Sequence, residues 1–169
     1  LHLLANGLVF AFTKDRAERK KLVEEGQAIW LSMDQKALNH VMSRFLISGY
    51  VTKDAQSGKT ILRISPLGRS RALQYTLDAL VLPVQKKWDR KWRIVIFDIP
   101  EGKRKIRDSL RRKLKEVGFL EFQKSVFVYP FPCDDEVNFI INFYNIHDCV
   151  YYLESAITPD AHLKKHFGL

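Results

Sequence analysis

The sequence predicts an α+β fold in two parts, an N-terminal winged helix-turn-helix followed by a β-α-β-β-α-β domain. Three observations predict it. A stretch of helical period over residues 34–48 precedes two short β-prone runs separated by a polar loop. From Trp92 to Phe131 an apolar run, a basic helix and a second extended run follow one another. Positive charge is concentrated in the middle of the chain: residues 34–87 and 88–118 each carry a net +6, whereas residues 119–169 carry −4.

In chain order, Leu1 to Phe12 reads as a buried helix, at about 12 residues too short to span a bilayer. The chain opens on Leu, so further native residues are expected before it. A charged helix is expected from Lys14 to Gly26. Ser32 stands three positions before Gln35, a capping-box spacing that opens the helix from Asp34 to Ser48. Leu38, Val41, Met42, Phe45 and Leu46 recur at spacings of three and four and form its buried stripe. Its other face shows Lys36, Asn39, His40, Ser43 and Arg44, and Gly49 ends it.

Tyr50–Lys53 and Ile61–Ile64 then flank the polar loop DAQSGK, which makes a hairpin. Helix followed by strand, loop and strand is the second half of a winged helix. The helix would enter a DNA major groove and the hairpin would be the wing. Asn39 and Arg44 are of types that read base edges, while Lys36, Lys53, Lys59 and Arg63 suit phosphates. Pro66 opens a helix to about Leu80. Val84 to Arg90 reads as a linker, with a boundary near residue 85 between a DNA-binding domain (1–85) and a dimerisation domain (86–169).

In the second half, Trp92 to Ile99 is the first strand and Lys103 to Val117 the first helix, with a narrow stripe of Ile106, Leu110, Leu114 and Val117. Arg104, Arg107 and Arg111 lie among the cations around that stripe. Pairs such as Asp108–Arg112 would contribute only about 0.3 kcal/mol each, so most of this charge is expected to stand free for an anionic partner. Phe119–Phe122 and Ser125–Tyr129 are strands. Asp134, Asp135 and Glu136 start a helix whose inner face is Val137, Ile140, Ile141 and Tyr144. Val150–Leu153 is the fourth strand, and Leu163 and Phe167 lie four apart in a helical tail.

The 169 residues are 46% hydrophobic, enough to build a core, and carry a net +9, which favours an anionic partner. Cys133 and Cys149 make neither a disulfide framework nor a zinc quartet and read as reduced intracellular thiols, consistent with a cytoplasmic protein. No Walker loop, G-x-S-x-G, H-E-x-x-H or C-x-x-C is present. His162 and His166 have metal-ligand spacing but no acidic or cysteine partner nearby in sequence. Asp98 ends the apolar strand beside the basic helix and is the candidate catalytic and metal-binding carboxylate. It would hold Mg²⁺ against a phosphodiester, with a second copy supplied by a symmetric dimer. Its structural alternative is to accept backbone hydrogen bonds or to pair with Arg104 or Arg107.

Phe97–Pro100 (FDIP), Arg104 and Arg107 on the helix, Gly118–Phe119 and Gln123–Pro130 (QKSVFVYP) carry a family resemblance. The stretch from Trp92 to Phe131 resembles the central domain of the PaaX-like, phenylacetic-acid degradation repressor family. That domain is in turn similar to the small dimeric ferredoxin-fold nuclease subunit of CRISPR spacer acquisition. The resemblance is specific over residues 88–131, fair to the C-terminus and architectural over 1–85. It implies a ferredoxin-like βαββαβ domain that dimerises behind a winged helix, and it places the nuclease subunit's metal-binding Asp on Asp98.

Three functions follow as expectations. One is a homodimeric regulator, a repressor, of double-stranded DNA that needs no cofactor to bind. The second is a Mg²⁺-dependent endonuclease or CRISPR adaptation subunit using paired Asp98. The third is an RNA-binding or interaction module, to which the aromatic run KSVFVY (Lys124 to Tyr129) points weakly, since it lacks the basic–Gly–aromatic–Gly pattern.

Overall fold

The computed structural model describes residue 24, residues 34–56 and residues 59–169. The expected helix over 1–12, that over 14–26 apart from Glu24, the Ser32 cap and the loop tip at Gly58 lie outside the described residues. The chain is of mixed α and β structure with antiparallel sheets. It divides into two compact units, Leu1–Ala79 and Leu80–Leu169.

In the first unit, helix α1 (Gln35–Ile47) is followed by strands β1 (Val51–Gln56) and β2 (Lys59–Ile64) and helix α2 (Pro66–Asp78). The backbone turns out of α1 through Gly49, and the Tyr50 amide donates to the Phe45 carbonyl at 2.9 Å. β1 and β2 pair antiparallel along their whole length, from Val51 opposite Ile64 to Gln56 opposite Lys59. The hairpin is longer than the alternation of the sequence suggests, because backbone pairing carries the ladder through polar residues.

α2 starts where Pro66 occupies the first turn and Ser65 caps it. The Ser65 hydroxyl accepts from the Gly68 amide at 3.0 Å and donates to the Gly49 carbonyl. That cap brings the helix against the backbone of Tyr50. A Cβ at Gly68 would sit 2.0 Å from the Tyr50 carbonyl oxygen, so only glycine allows this approach. Val51, Ala72 and Leu77 are the buried apolar residues of the described part of this unit.

The second unit has strands β3 (Trp92–Phe97), β4 (Leu120–Gln123), β5 (Val126–Tyr129) and β6 (Val150–Ser155). Its helices are α3 (Arg104–Glu116), α4 (Asp134–Tyr144) and α5 (Ala161–Phe167). The connectivity is βαββαβ, and the sheet order is β4-β5-β3-β6 with every neighbour antiparallel. A 3₁₀ turn (Glu101–Lys103) leads into α3, and Gly118, at φ +110°, reverses the chain after it.

Strand alternation divides the core between the two faces of the sheet. Val95, Phe97 and Phe127 share one face, with Val95 opposite Phe127 and the Phe97 and Phe127 rings stacked at 5.8 Å. Leu110 and Leu114 of α3 and Val137, Ile140 and Ile141 of α4 are buried as well, where α3 packs against β4 and α4, and α4 against β6. On the other face Trp92 and Val128 enclose Leu163 of α5, with Trp88, Ile94, Leu120, Ile157 and Phe167 packed around them.

The expected stripes on α3 and α4 are buried or half-buried at every position. That of α1 is less covered: Met42, Phe45 and Leu46 are half-buried, but Val41 is 41% exposed.

Candidate nucleic-acid interface

In α1, Lys36, Asn39, His40, Ser43 and Arg44 are all exposed. At 100° per residue the five span roughly 140° of the helix circumference, one continuous polar face. They combine two cations with amide, imidazole and hydroxyl groups, a set able to contact both base edges and phosphates. The hairpin divides the cations assigned to it. Arg63 stands opposite Thr52 on one face, and Lys59 pairs with Gln56 at the far end of the ladder, four pairs along. Lys53 falls on the other, the face that carries buried Val51, although Lys53 itself is exposed. Period-two alternation separates residues that look adjacent as a list of cations.

The basic helix α3 corrects an expectation. Its charge is largely answered by neighbouring carboxylates. Arg104 lies within 3.9 Å of Glu101 and 3.8 Å of Asp108, and Arg107 lies 3.0 Å from Glu101. Arg112 and Lys113 approach Glu116 at 3.9 and 3.7 Å. Arg111 and Lys115 both bond Glu121 across to β4, and these bonds hold the Glu121 carboxyl below its ordinary range. The expected Asp108–Arg112 pair is replaced by Arg104–Asp108, in which Asp108 faces back along the helix. Among the described residues, Lys103 and Lys105 alone of the cations of 103–115 have no carboxylate partner. Residues 101–121 still hold eight Lys and Arg against four Asp and Glu, so a net positive field survives. The pairs on this helix, mostly exposed, contribute little to stability and exchange readily for phosphate contacts.

Asp98 follows β3 directly. Its amide donates to the Cys149 carbonyl at 2.9 Å, which fixes its backbone, and its side chain is exposed. The alternative of a pair with Arg104 or Arg107 is not realised, because both arginines turn to Glu101 and Arg107 also reaches the Ile99 carbonyl at 3.4 Å. Among the described residues no group of three His, Cys, Asp or Glu side chains could hold a metal ion. His162 stacks on the Phe122 ring at 5.6 Å, and His166 packs edge-on against Phe167 at 4.8 Å.

Residues 85–166 match the family model described as PaaX protein central Cas2-like domain. The second half of this chain is thus similar to the PaaX central domain. No curated protein and no solved structure matches the chain.

Within this domain, sequence reasoning missed one cluster. Arg93, with 2% of its side chain accessible, is clasped by Asp89 through two bonds of 2.7 and 2.6 Å. It also donates to the carbonyls of Lys91 and Pro130 and lies 3.4 Å from Glu154, its cross-strand partner. The clasp holds the Asp89 carboxyl down at about 2 and raises the Arg93 guanidinium. Trp88 and Trp92 pack beside it with ring centroids 4.8 Å apart and planes tilted by 53°, and Lys164 lies 5.6 Å from the Trp88 ring. Two i,i+4 pairs side by side, Asp89–Arg93 and Trp88–Trp92, were the available signal. The segment 84–90, expected as a linker, is thereby fastened to this unit.

Proposed function

We propose that the chain is a DNA-binding transcription regulator, a repressor, acting in the cytoplasm as a homodimer. One observation carries the reading: a domain similar to the PaaX central domain follows a helix-and-hairpin unit whose helix exposes Lys36, Asn39, His40, Ser43 and Arg44 on one face. In this reading residues 1–85 form a winged helix, with α1 in the major groove and β1–β2 as the wing. Asn39 and Arg44 meet base edges, and Lys36, Lys53, Lys59 and Arg63 meet phosphates. The ferredoxin-like unit over 86–169 dimerises and sets the spacing of two half-sites. The net positive charge along α3 adds attraction for the duplex, with Arg104, Arg107 and Arg111 exchanging their carboxylate partners for phosphates, and no cofactor is required.

The test is selection of duplexes from a random library, followed by gel shift of the winners against scrambled controls across a salt series. A specific site whose affinity falls steeply with salt is expected. Absence of any duplex preference at physiological salt refutes the reading. Light scattering that finds a monomer at micromolar concentration removes the dimer.

The exposed carboxylate of Asp98, which no arginine engages, favours a second reading: a metal-dependent nuclease, or a CRISPR adaptation subunit, in which a dimer pairs two Asp98 side chains. Cleavage of DNA with Mg²⁺ or Mn²⁺ that Asp98→Ala abolishes supports it, and equal activity of the two proteins ends it.

A further inference from the structure

Segment 80–91 leads into β3 and is anchored to the second unit at two places. At one end the Tyr129 hydroxyl donates to the Pro83 carbonyl at 3.0 Å, and Leu82 is buried. At the other, the turn Trp88–Lys91 is closed by three hydrogen bonds onto Lys91. The Trp88 indole donates to its carbonyl at 2.9 Å, Arg93 to the same carbonyl at 3.0 Å, and its own amide donates to Asp89 at 3.0 Å. Gln85, Lys86 and Lys87 are exposed between these anchors, and Arg90 is exposed at the tip of the turn.

The local charge is one-sided for a structural reason. Each carboxylate near the turn is already committed: Asp89 to buried Arg93, Glu154 to Lys91 and Arg93, and Asp160 to Lys164 and the Trp92 indole. Among the described residues, Lys86, Lys87 and Arg90 have no carboxylate partner within 4.0 Å. Arg90 moreover has φ +65°, a left-handed conformation that a residue with a Cβ disfavours and that glycine adopts freely. A turn built for stability alone would carry glycine there. Keeping arginine sets a guanidinium, with its forked donors, on a rigid exposed tip.

We propose that Lys86, Lys87 and Arg90 form a second contact to the phosphate backbone of duplex DNA, independent of base sequence and separate from the reading face of α1. It rests on the DNA-binding reading above. The anchors on either side fix the backbone that carries the three cations before DNA arrives, so the contact has side chains to order but not the chain itself.

The test uses the full chain and compares the parent with Arg90→Gly and with the triple variant Lys86→Gln/Lys87→Gln/Arg90→Gly. Each is measured by fluorescence anisotropy on a selected duplex and on a random duplex over a salt series. The slope of log affinity against log salt is expected to fall by roughly 0.9 for Arg90→Gly and by roughly 2.7 for the triple variant, equally on both duplexes. Arg90→Gly is expected to melt no lower than the parent, which separates loss of contact from loss of fold. If the parent binds but the slopes of the variants match it, or the loss is confined to the selected duplex, this inference fails and the functional reading stands. A parent that binds no duplex overturns both.

Discussion

Replacing Asp89 by Asn tests how the buried Arg93 is held. The substitution keeps the shape of the side chain and removes its charge, leaving a guanidinium with 2% exposure supported by two backbone carbonyls and by Glu154 at 3.4 Å. The clasp lowers the Asp89 carboxyl from 3.8 to about 2. At 1.36 kcal/mol per pH unit that difference is worth about 2.4 kcal/mol of folding stability. Asp89 is 42% exposed, so solvent screening brings the expected loss to about 1 kcal/mol. The sign follows from the direction of the shift. The folded value lies below the unfolded one, so the stabilisation is complete above about pH 4 and is lost as pH falls toward 2. Urea unfolding near pH 7 is expected to show the full deficit of Asp89→Asn, and unfolding near pH 3 about half of it. A deficit of the same size at both pH values, or none near pH 7, would refute the electrostatic account.

Four further outcomes are expected. Gly68→Ala drives a Cβ into the Tyr50 carbonyl and is expected to cost about 1–3 kcal/mol in the first unit, read as a lower thermal midpoint; an unchanged midpoint contradicts the close approach. Ser65→Ala removes the cap of α2 and is expected to cost about 1 kcal/mol in urea unfolding. Asn39→Ala and Arg44→Ala are each expected to weaken the selected duplex by about 1–3 kcal/mol and to relax sequence preference, whereas Lys36→Ala is expected to weaken all duplexes alike. Burial pushes the Cys133 thiol up to about 12, so thiol reagents near neutral pH are expected to leave it unmodified until the protein unfolds; rapid labelling of native Cys133 would show that the core opens.

Much of the fold was legible in the residues because hydrophobic period is a local signal. Ile106, Leu110, Leu114 and Val117 marked α3, Val137, Ile140 and Ile141 marked α4, and the runs WRIVIF and VFVY marked the central strands. The exposed face of α1 was legible for the same reason, and the family of residues 85–166 could be recognised from FDIP and QKSVFVYP.

What sequence alone determined, then, was the order of elements, the excess of positive charge and the likeness of residues 85–166 to a PaaX central domain. The tertiary structure decided which charges are available. Glu121 reaches Arg111 and Lys115 from a different element, and Asp98 is exposed and left unpaired by both nearby arginines, which turn to Glu101. Lys53 parts from Arg63 through the register of the hairpin, and Arg93 is buried while Arg90, three residues before it, stands at an exposed tip. Ion pairing acts over a few ångströms and joins residues distant in the chain. A count of cations therefore gives the sign of the surface, and only the folded arrangement gives the places where that charge is left for a partner.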